Sequence, residues 1–340
     1  MYVPAVAPCG SEPGWGGGTP GSRAAQATTA VATLIGAALL LVLLPTAPAG
    51  AAGPDVAITE LHFHPGSDDE DEEVVELHNP GPGDADLTGW CFTSGISHCF
   101  APGTTIAEGA FLLGSPDAAT FTATYGGAPD FEYGGNLSNS GETVRLADAS
   151  ATTVEEVTYG ERTPWPTTPD GRGPSLERRD PDADADTPRS WAASVAPAGH
   201  TVGQPSSVAG TGMLPGVTEV TPPAGRQPDE AVTITAAVEG ADEVRLVHVV
   251  GFGADELETT TPMLDDGASG DGAAGDGTYG ATIPGQAAGA LVRYRVEATA
   301  PGAANAEPRV DDTRRHLGHT VADPAVHTTL PVLEWFIDDT

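Results

Sequence analysis

Short apolar runs, each cut off within a few residues by glycine, proline or aspartate, constrain this chain more than any other feature. "VAITELHF" (56–63), "EVVELHN" (73–79), "AFLLG" (110–114), "TVRLAD" (143–148) and "TVEEVTYG" (153–160) are of strand length. With 44 glycines and 31 prolines in 340 residues, the breaks come too often for a helical bundle and suit many short strands. The pattern predicts an all-β fold, a sandwich or barrel. One segment departs from it: "SPDAATFTATYG" (115–126) offers Ser115 as an N-cap, Pro116 at the first helical position and Gly126 as a stop, and so predicts a short helix.

A second block begins after "GQPSSVAGTGMLPG" (203–216), whose lack of periodicity predicts a linker at 204–216. "AVTITAAV" (231–238), "EVRLVHVV" (243–250), "TYGATI" (278–283) and "ALVRYRVEATA" (290–300) then read as strands. Val244, Leu246 and His248 alternate with Arg245 and Val247, and Val292, Tyr294 and Val296 alternate with Arg293 and Arg295. One face in and one face out, over residues 217–322, predicts an immunoglobulin- or fibronectin-III-like sandwich.

The N-terminus carries a different signal. Arg23 is the only basic residue before an apolar run from Ala30 to Leu44, which ends in Pro45 and the small-residue stretch "TAPAGAA". The A-x-A patterns at Ala47–Ala49 and Ala49–Ala51 read as a cleavage site, and the run is short beside the roughly 20 residues of a membrane span. Residues 1–51 are therefore expected to be a secretory signal peptide, with a retained anchor through 30–44 as the alternative. The expected location is secreted or extracytoplasmic.

Export bears on the cysteines. Cys9 lies in the leader, which leaves Cys91 and Cys99 in "GWCFTSGISHCF" (89–100). A metal site completed by His98 competes with a disulfide across a β-hairpin. Zinc takes four ligands and this stretch supplies three, of which His98, adjacent to Cys99, points to the opposite face of a strand. Outside the cell the disulfide is the expected outcome, with a structural task.

The net charge of −34 and the fact that all fourteen basic residues are arginine argue against nucleic acid or an anionic membrane surface as partner. A chain without lysine also has no Schiff-base chemistry and no Ser-Lys nucleophile. Neither a G-x-S-x-G elbow nor a Walker-type phosphate loop occurs.

"VAITELHFHP" (56–65), "EEVVELHNPGPGDADLTGWCF" (72–92), "FAPGTTIAEGAFLLG" (100–114), "NLSNSGETVRLAD" (136–148), "VTYGERTPWPTTPDGRGPSLERRDP" (157–181) and "SWAAS" (190–194) follow one another in an order that resembles the lamin tail domain. That resemblance implies an immunoglobulin-like β-sandwich over residues 55–203, of a type found in nuclear lamins and in exported bacterial proteins. The bacterial versions often carry a cysteine pair at this hairpin, in agreement with the disulfide. "TTLPVLEWFIDDT" (328–340) resembles the opening of the spore-coat-protein-H (CotH) kinase-like domain, which often follows such domains. The catalytic residues of that family lie downstream of this opening, so none is carried over. The chain thus reads as the front part of a CotH-type protein, from a truncated gene product or a fragment.

Other clusters invite a site. Glu73, Glu76 and the acidic run 67–73 read as strand pattern and solvated loop rather than as an acid–base pair. His62 and His64, on one strand face with His78, Asp68 or Asp69 as a third ligand, would suit a transition metal but read better as structural histidines. Asp180, Asp182, Asp184 and Asp186 alternate as in a calcium loop, but Ala185 and Trp191 stand where an EF-hand has Gly and Glu, leaving a looser oxygen site or turn caps. "DDGASGDGAAGDGTYG" (265–280) sets Asp265, Asp266, Asp271 and Asp276 among turn-forming Asp-Gly pairs, where calcium is the candidate ligand. Asn136-Leu137-Ser138 is a glycosylation sequon.

No residue is assigned to catalysis and no cofactor other than calcium is a candidate. The expected role is display, adhesion or scaffolding toward a cell-surface or extracellular protein or polysaccharide. The rivals are a CotH kinase-like enzyme whose catalytic domain is missing from this chain and a calcium-dependent surface-binding module.

Overall fold

The computed structural model describes residues 56–221, 227–251 and 256–325. The signal segment at 1–51 and the CotH-like stretch at 328–340 lie outside them. No helix among the described residues is long and apolar enough to cross a membrane.

The chain is nearly all β, as its punctuation predicts. The first block forms β1 (Ala57–His62), β2 (Val74–His78), β3 (Ala85–Asp86), β4 (Cys91–Ser94), β5 (His98–Cys99), β6 (Thr105–Ile106), β7 (Phe111–Ser115), α1 (Ala118–Tyr125), β8 (Phe131–Glu132), β9 (Glu142–Ala147), β10 (Thr153–Tyr159), β11 (Leu176–Arg178) and β12 (Trp191–Ala193). These pair into a six-stranded sheet, β12-β11-β1-β2-β7-β8, a four-stranded sheet, β10-β9-β4-β5, and the small ladder β3-β6. Ile58, Leu61, Leu77, Leu146, Val157 and Trp191 from both larger sheets share one core. Each such side chain contributes roughly 1.5–3 kcal/mol by burial. Gly114 on β7 is needed where β8 crosses, because a Cβ there would stand 2.2 Å from the Phe131 ring.

The second block forms β13 (Gly216–Thr218), β14 (Val232–Glu239), β15 (Glu243–Val250), β16 (Leu257–Pro262), β17 (Thr278–Ile283), β18 (Leu291–Ala300), β19 (Ala303–Glu307) and β20 (Leu317–Thr320). The sheet β13-β14-β17 and the sheet β16-β15-β18-β19, with β20 also paired to β18, enclose a separate core around Ile234, Leu246, Val292 and Tyr294. The inward alternation expected on β18 is present, with Val292, Tyr294, Val296 and Ala298 buried. On β15 it fails past Leu246, since Val247 and Val249 are buried beside Leu246 and His248. Their cross-strand partners on β18 are Arg295 and Arg293, whose long aliphatic stems suit them to cover outward valines.

One expectation is corrected. The helix is capped by Asp117, not Ser115: the Asp117 carboxylate accepts from the Thr120 amide at 2.7 Å, while Ser115 ends β7 and Gly126 closes the helix at φ 75°. Pro116 holds the residue before it in extended backbone, which keeps Ser115 in the strand. The linker segment does join the two sandwiches, but it does so pressed along the first one. The Gly210 amide donates to the Arg179 carbonyl at 3.0 Å, the Gly212 amide to Asp180 Oδ2 at 2.5 Å and the Leu214 amide to the Arg189 carbonyl at 2.7 Å.

Candidate functional site

The hairpin at 91–99 follows from strand alternation. Cys91 and Cys99 are direct cross-strand partners, 4.1 Å apart at Cα, and are joined by a disulfide. The two phenylalanines that follow them, Phe92 and Phe100, turn into the core. His98 Nδ1 donates to the Glu132 carbonyl (2.8 Å), and the ring packs on Phe100 and Phe131.

The histidine pair does not converge. His62 Nδ1 lies 2.8 Å from the Tyr125 hydroxyl, which itself donates to the Glu72 carbonyl at 2.6 Å, so the hydroxyl accepts and His62 Nδ1 carries the proton. Burial, then the neighbouring His200, pushes His62 down to about 4. His64 lies beyond the end of β1, between Asp170 (Nδ1 to Oδ1, 2.6 Å) and Asp68 (Nε2 to Oδ1, 3.0 Å). His78 stacks on Phe111. Asp69 caps the turn at 70–72 by accepting from the Asp71 amide at 3.1 Å.

The acidic run is solvated only as far as Glu72. Glu73 is fully buried, with the Leu137 amide on Oε2 (2.7 Å) and no partner on Oε1, and burial raises it to about 8. Glu76 is buried as well, within β2 as the strand pattern predicts, whereas the burial of Glu73 corrects the solvated loop predicted for 67–73.

The alternating aspartates at 180–186 are organised around a guanidinium. Arg178, 2% exposed at its side chain, pairs with Glu155 (2.6 Å) and donates to the carbonyls of Asp180 (3.2 Å), Pro181 (3.1 Å) and Ala183. The carboxylates of Asp180, Asp184 and Asp186 accept from the amides of Asp182, Asp186 and Thr158, as turn and strand-end caps. Arg178 thus stands where the loop's carbonyls would otherwise gather a cation.

In the Asp-Gly loop, Asp265 accepts from the amides of Gly275 (2.6 Å), Asp276 (3.3 Å) and Gly277 (2.9 Å), and Asp266 from those of Ala268 and Ser269. Asp276 accepts from Ala273 and Thr278, and Asp271 from Gly267 through Oδ2, its Oδ1 being buried without a partner. Among the described residues no group of three or more His, Cys, Asp or Glu side chains is arranged to hold a metal ion.

A further polar constellation, one that sequence reasoning missed, lies where the loop after β19 meets the end of the first sandwich. Arg309, 4% exposed, forms a two-point ion pair with Asp311 (2.7 and 3.0 Å) and donates to the carbonyls of Trp191 (2.8 Å), Pro188 (3.2 Å) and Pro164 (3.4 Å). Asp311 accepts from the Ala193 amide through Oδ2 (3.0 Å) and from the Thr167 and Thr168 amides through its carbonyl. Asp312 accepts from Thr163 and Thr167 hydroxyls and from Arg314. Burial works against the Asp312 charge, but the Arg314 amide and guanidinium and the Thr163 hydroxyl outweigh it and leave the carboxyl below its ordinary range. A cleft of about 450 Å³ opens beside this junction, where Arg162, Arg172 and Arg314 are matched by Glu161, Asp170 and Asp312. With Asp170 already holding His64 and Asp312 holding Arg314, the cleft is balanced in charge.

Fold and junction together define an all-β protein of two immunoglobulin-like sandwiches. Residues 49–161 match the family model of the lamin tail domain, and residues 226–317 match that of the second immunoglobulin-like domain of conditioned medium factor. The chain therefore carries a lamin tail domain followed by a second immunoglobulin-like domain. No curated protein matches. Among solved structures, "Crystal structure of Br derivative BhCBM56" is similar at 14% identity over 31% of this chain and 88% of that one, with a TM-score of 0.19, too low to carry an argument.

Proposed function

We propose that this chain is a non-catalytic, exported scaffold in which two sandwiches are held at a fixed geometry to present a surface to an extracellular protein or polysaccharide. The observation that carries this reading is the junction: Arg309, Asp311 and Asp312 tie the second sandwich to the edge of the first through buried, paired charges. Such a joint suits a spacer better than a pair of mobile lobes closing on a substrate. The Cys91–Cys99 disulfide supports an oxidising location. The likeness of residues 328–340 to the start of a CotH kinase-like domain supports a place in front of such a domain.

Two measurements test it. Protease shaving of intact cells producing the full chain is expected to degrade it, and protection until lysis overturns export. Incubation with radiolabelled ATP and magnesium is expected to label neither the chain nor an added protein. Labelling that is lost on substituting acidic residues of this chain shows an enzyme instead.

A further inference from the structure

Three glutamates stand side by side on the face of the six-stranded sheet opposite the core leucines Leu61, Leu77 and Leu176. Glu76 on β2 is the cross-strand partner of Glu60 on β1, and Glu60 is the partner of Glu177 on β11. The same row continues to Leu113 on β7 and to Ala192 on β12, so it contains no cation. All three glutamates are at most 1% exposed. Like charges directly opposite on neighbouring strands repel, and a buried carboxylate without a cation is costly.

What covers the row is the chain between the sandwiches. The Thr201 amide and hydroxyl donate to Glu60 (3.1 and 3.0 Å), and the Gly203 amide donates to Glu76 Oε2 (2.7 Å). The Ser206 hydroxyl and the Ser207 amide and hydroxyl all converge on Glu177 Oε2 (3.0, 2.6 and 2.9 Å). Thr59 completes Glu76 from β1 (2.7 Å). Glu177 Oε1 has no partner. Ionisable groups beside the row are His200, at the start of the covering segment, which feels Glu177, and Tyr125 on α1, which feels Glu60; His62 on β1 is in ring contact with both. Arg179, two residues beyond Glu177, gives its guanidinium to the Val208 carbonyl (3.0 Å) instead of to a carboxylate.

We propose that residues 199–208 form a proton-dependent strap, closed over the Glu76-Glu60-Glu177 row while Glu60 and Glu76 hold their protons and released when these two ionise. Neutral carboxyls can stand side by side under the strap, whereas added charges in the buried row repel one another and draw in water. Since the strap is the covalent joint between β12 and β13, its release slackens the path between the sandwiches while the Arg309 junction persists.

The direction of the pH response follows from the groups themselves. Burial, then the neighbouring Glu177, raises Glu60 to about 7, and burial, then Glu60, raises Glu76 to about 8. The closed state therefore binds more protons than the open one between the ordinary glutamate value and these raised values, and its stability falls as pH climbs through that window. His62 and His200 act oppositely. Burial holds both below their ordinary value, His62 at about 4, so their contribution is full above about 6.5 and is lost as pH falls. The histidines and the glutamates therefore oppose each other below about pH 6.5, and above it the glutamates alone set the response.

Amide hydrogen exchange of the full chain, corrected for intrinsic rates, tests this between pH 6.5 and pH 9, from the upper edge of the histidine window upward. Protection of peptides within 199–208 is expected to fall at least tenfold while that of β14 holds, and E60Q/E76Q is expected to keep the strap protected across the range. Equal protection at both pH values in the wild type, or the same fall in E60Q/E76Q, overturns the proposal. If the double variant does not fold, carboxyl carbon NMR of the wild type decides: a glutamate titrating above pH 6 together with the Thr201 and Gly203 amides supports the strap. If those two amides show no inflection above pH 6, the proposal is overturned.

Discussion

Arg309 and Asp311, in the second sandwich, complete the open edge of a strand of the first: Arg309 Nη2 donates to the carbonyl of Trp191 at 2.8 Å, and Asp311 Oδ2 accepts from the amide of Ala193 at 3.0 Å. Trp191 and Ala193 belong to β12, which pairs only with β11 within its sheet. Residues two apart on a strand direct their backbone groups the same way, so an ion pair takes the place that a further strand would fill. An edge open to other chains is thereby blunted, and the same pair anchors the second sandwich.

Arg309→Ala should therefore loosen both. It strands the Asp311 carboxylate, 10% exposed, and three carbonyls at once. Removing one partner of a buried pair costs about 3–5 kcal/mol. In urea, the wild type is expected to unfold both sandwiches together and the variant in two separate steps, the first at lower denaturant. An unchanged single transition would show that the junction contributes no coupling.

Cys91 and Cys99 close a short loop, which should contribute about 2–3 kcal/mol by restricting the unfolded chain. Thiol labelling of the denatured, unreduced protein, mapped by peptide mass, is expected to leave both residues unmodified. Cys91→Ala/Cys99→Ala should fold with a lower urea midpoint, since Phe92 and Phe100 still pin the hairpin to the core. Full labelling of both sulfurs in exported protein counts against the bridge.

The strands and the hairpin were legible because their information is local. "EVRLVHVV" and "TYGATI" coincide with β15 and β17, and the turn between Cys91 and Cys99 is written in adjacent residues. The glutamate row was not, because it depends on register between strands far apart in sequence and on the irregularity between Ile58 and Glu60 that shifts β1 against β2. A signal was present all the same: "TELH", "VELH" and "SLER" each set one glutamate beside a leucine that reaches the core. The junction was equally hidden, since nothing in "PRVDDTR" (308–314) names the strand edge that it caps. At 180–186 the sequence left an oxygen site and turn caps as alternatives, because Arg178 precedes the loop in the chain but meets its carbonyls only in three dimensions.

The Asp-Gly loop yields a test of what its carboxylates do. Asp265 gathers the amides of Gly275, Asp276 and Gly277, so its role in this geometry is to close the turn. Asp265→Ala should cost about 1–3 kcal/mol by leaving those donors unmatched. Millimolar calcium is expected to leave the wild-type melting temperature unchanged. A rise of several degrees that disappears in Asp265→Ala would instead make this loop a calcium site.

Glu73 offers a test of charge burial independent of the strap. It is fully buried, receives the Leu137 amide on one oxygen and nothing on the other, and is raised by burial to about 8. The folded protein thus holds a proton that the unfolded chain gives up near the ordinary glutamate value of 4.5. Its contribution to stability is complete below that value and is lost as pH rises through about 8. Glutamine imitates the protonated acid, keeps an oxygen for the Leu137 amide and cannot ionise. Glu73→Gln should therefore match the wild type at pH 5 and exceed it at pH 9 by roughly 2–4 kcal/mol, as each unit of displacement corresponds to about 1.4 kcal/mol. Urea midpoints of the two proteins at the two pH values measure the difference, and equal midpoints at pH 9 would mean that Glu73 ionises in the folded state without cost.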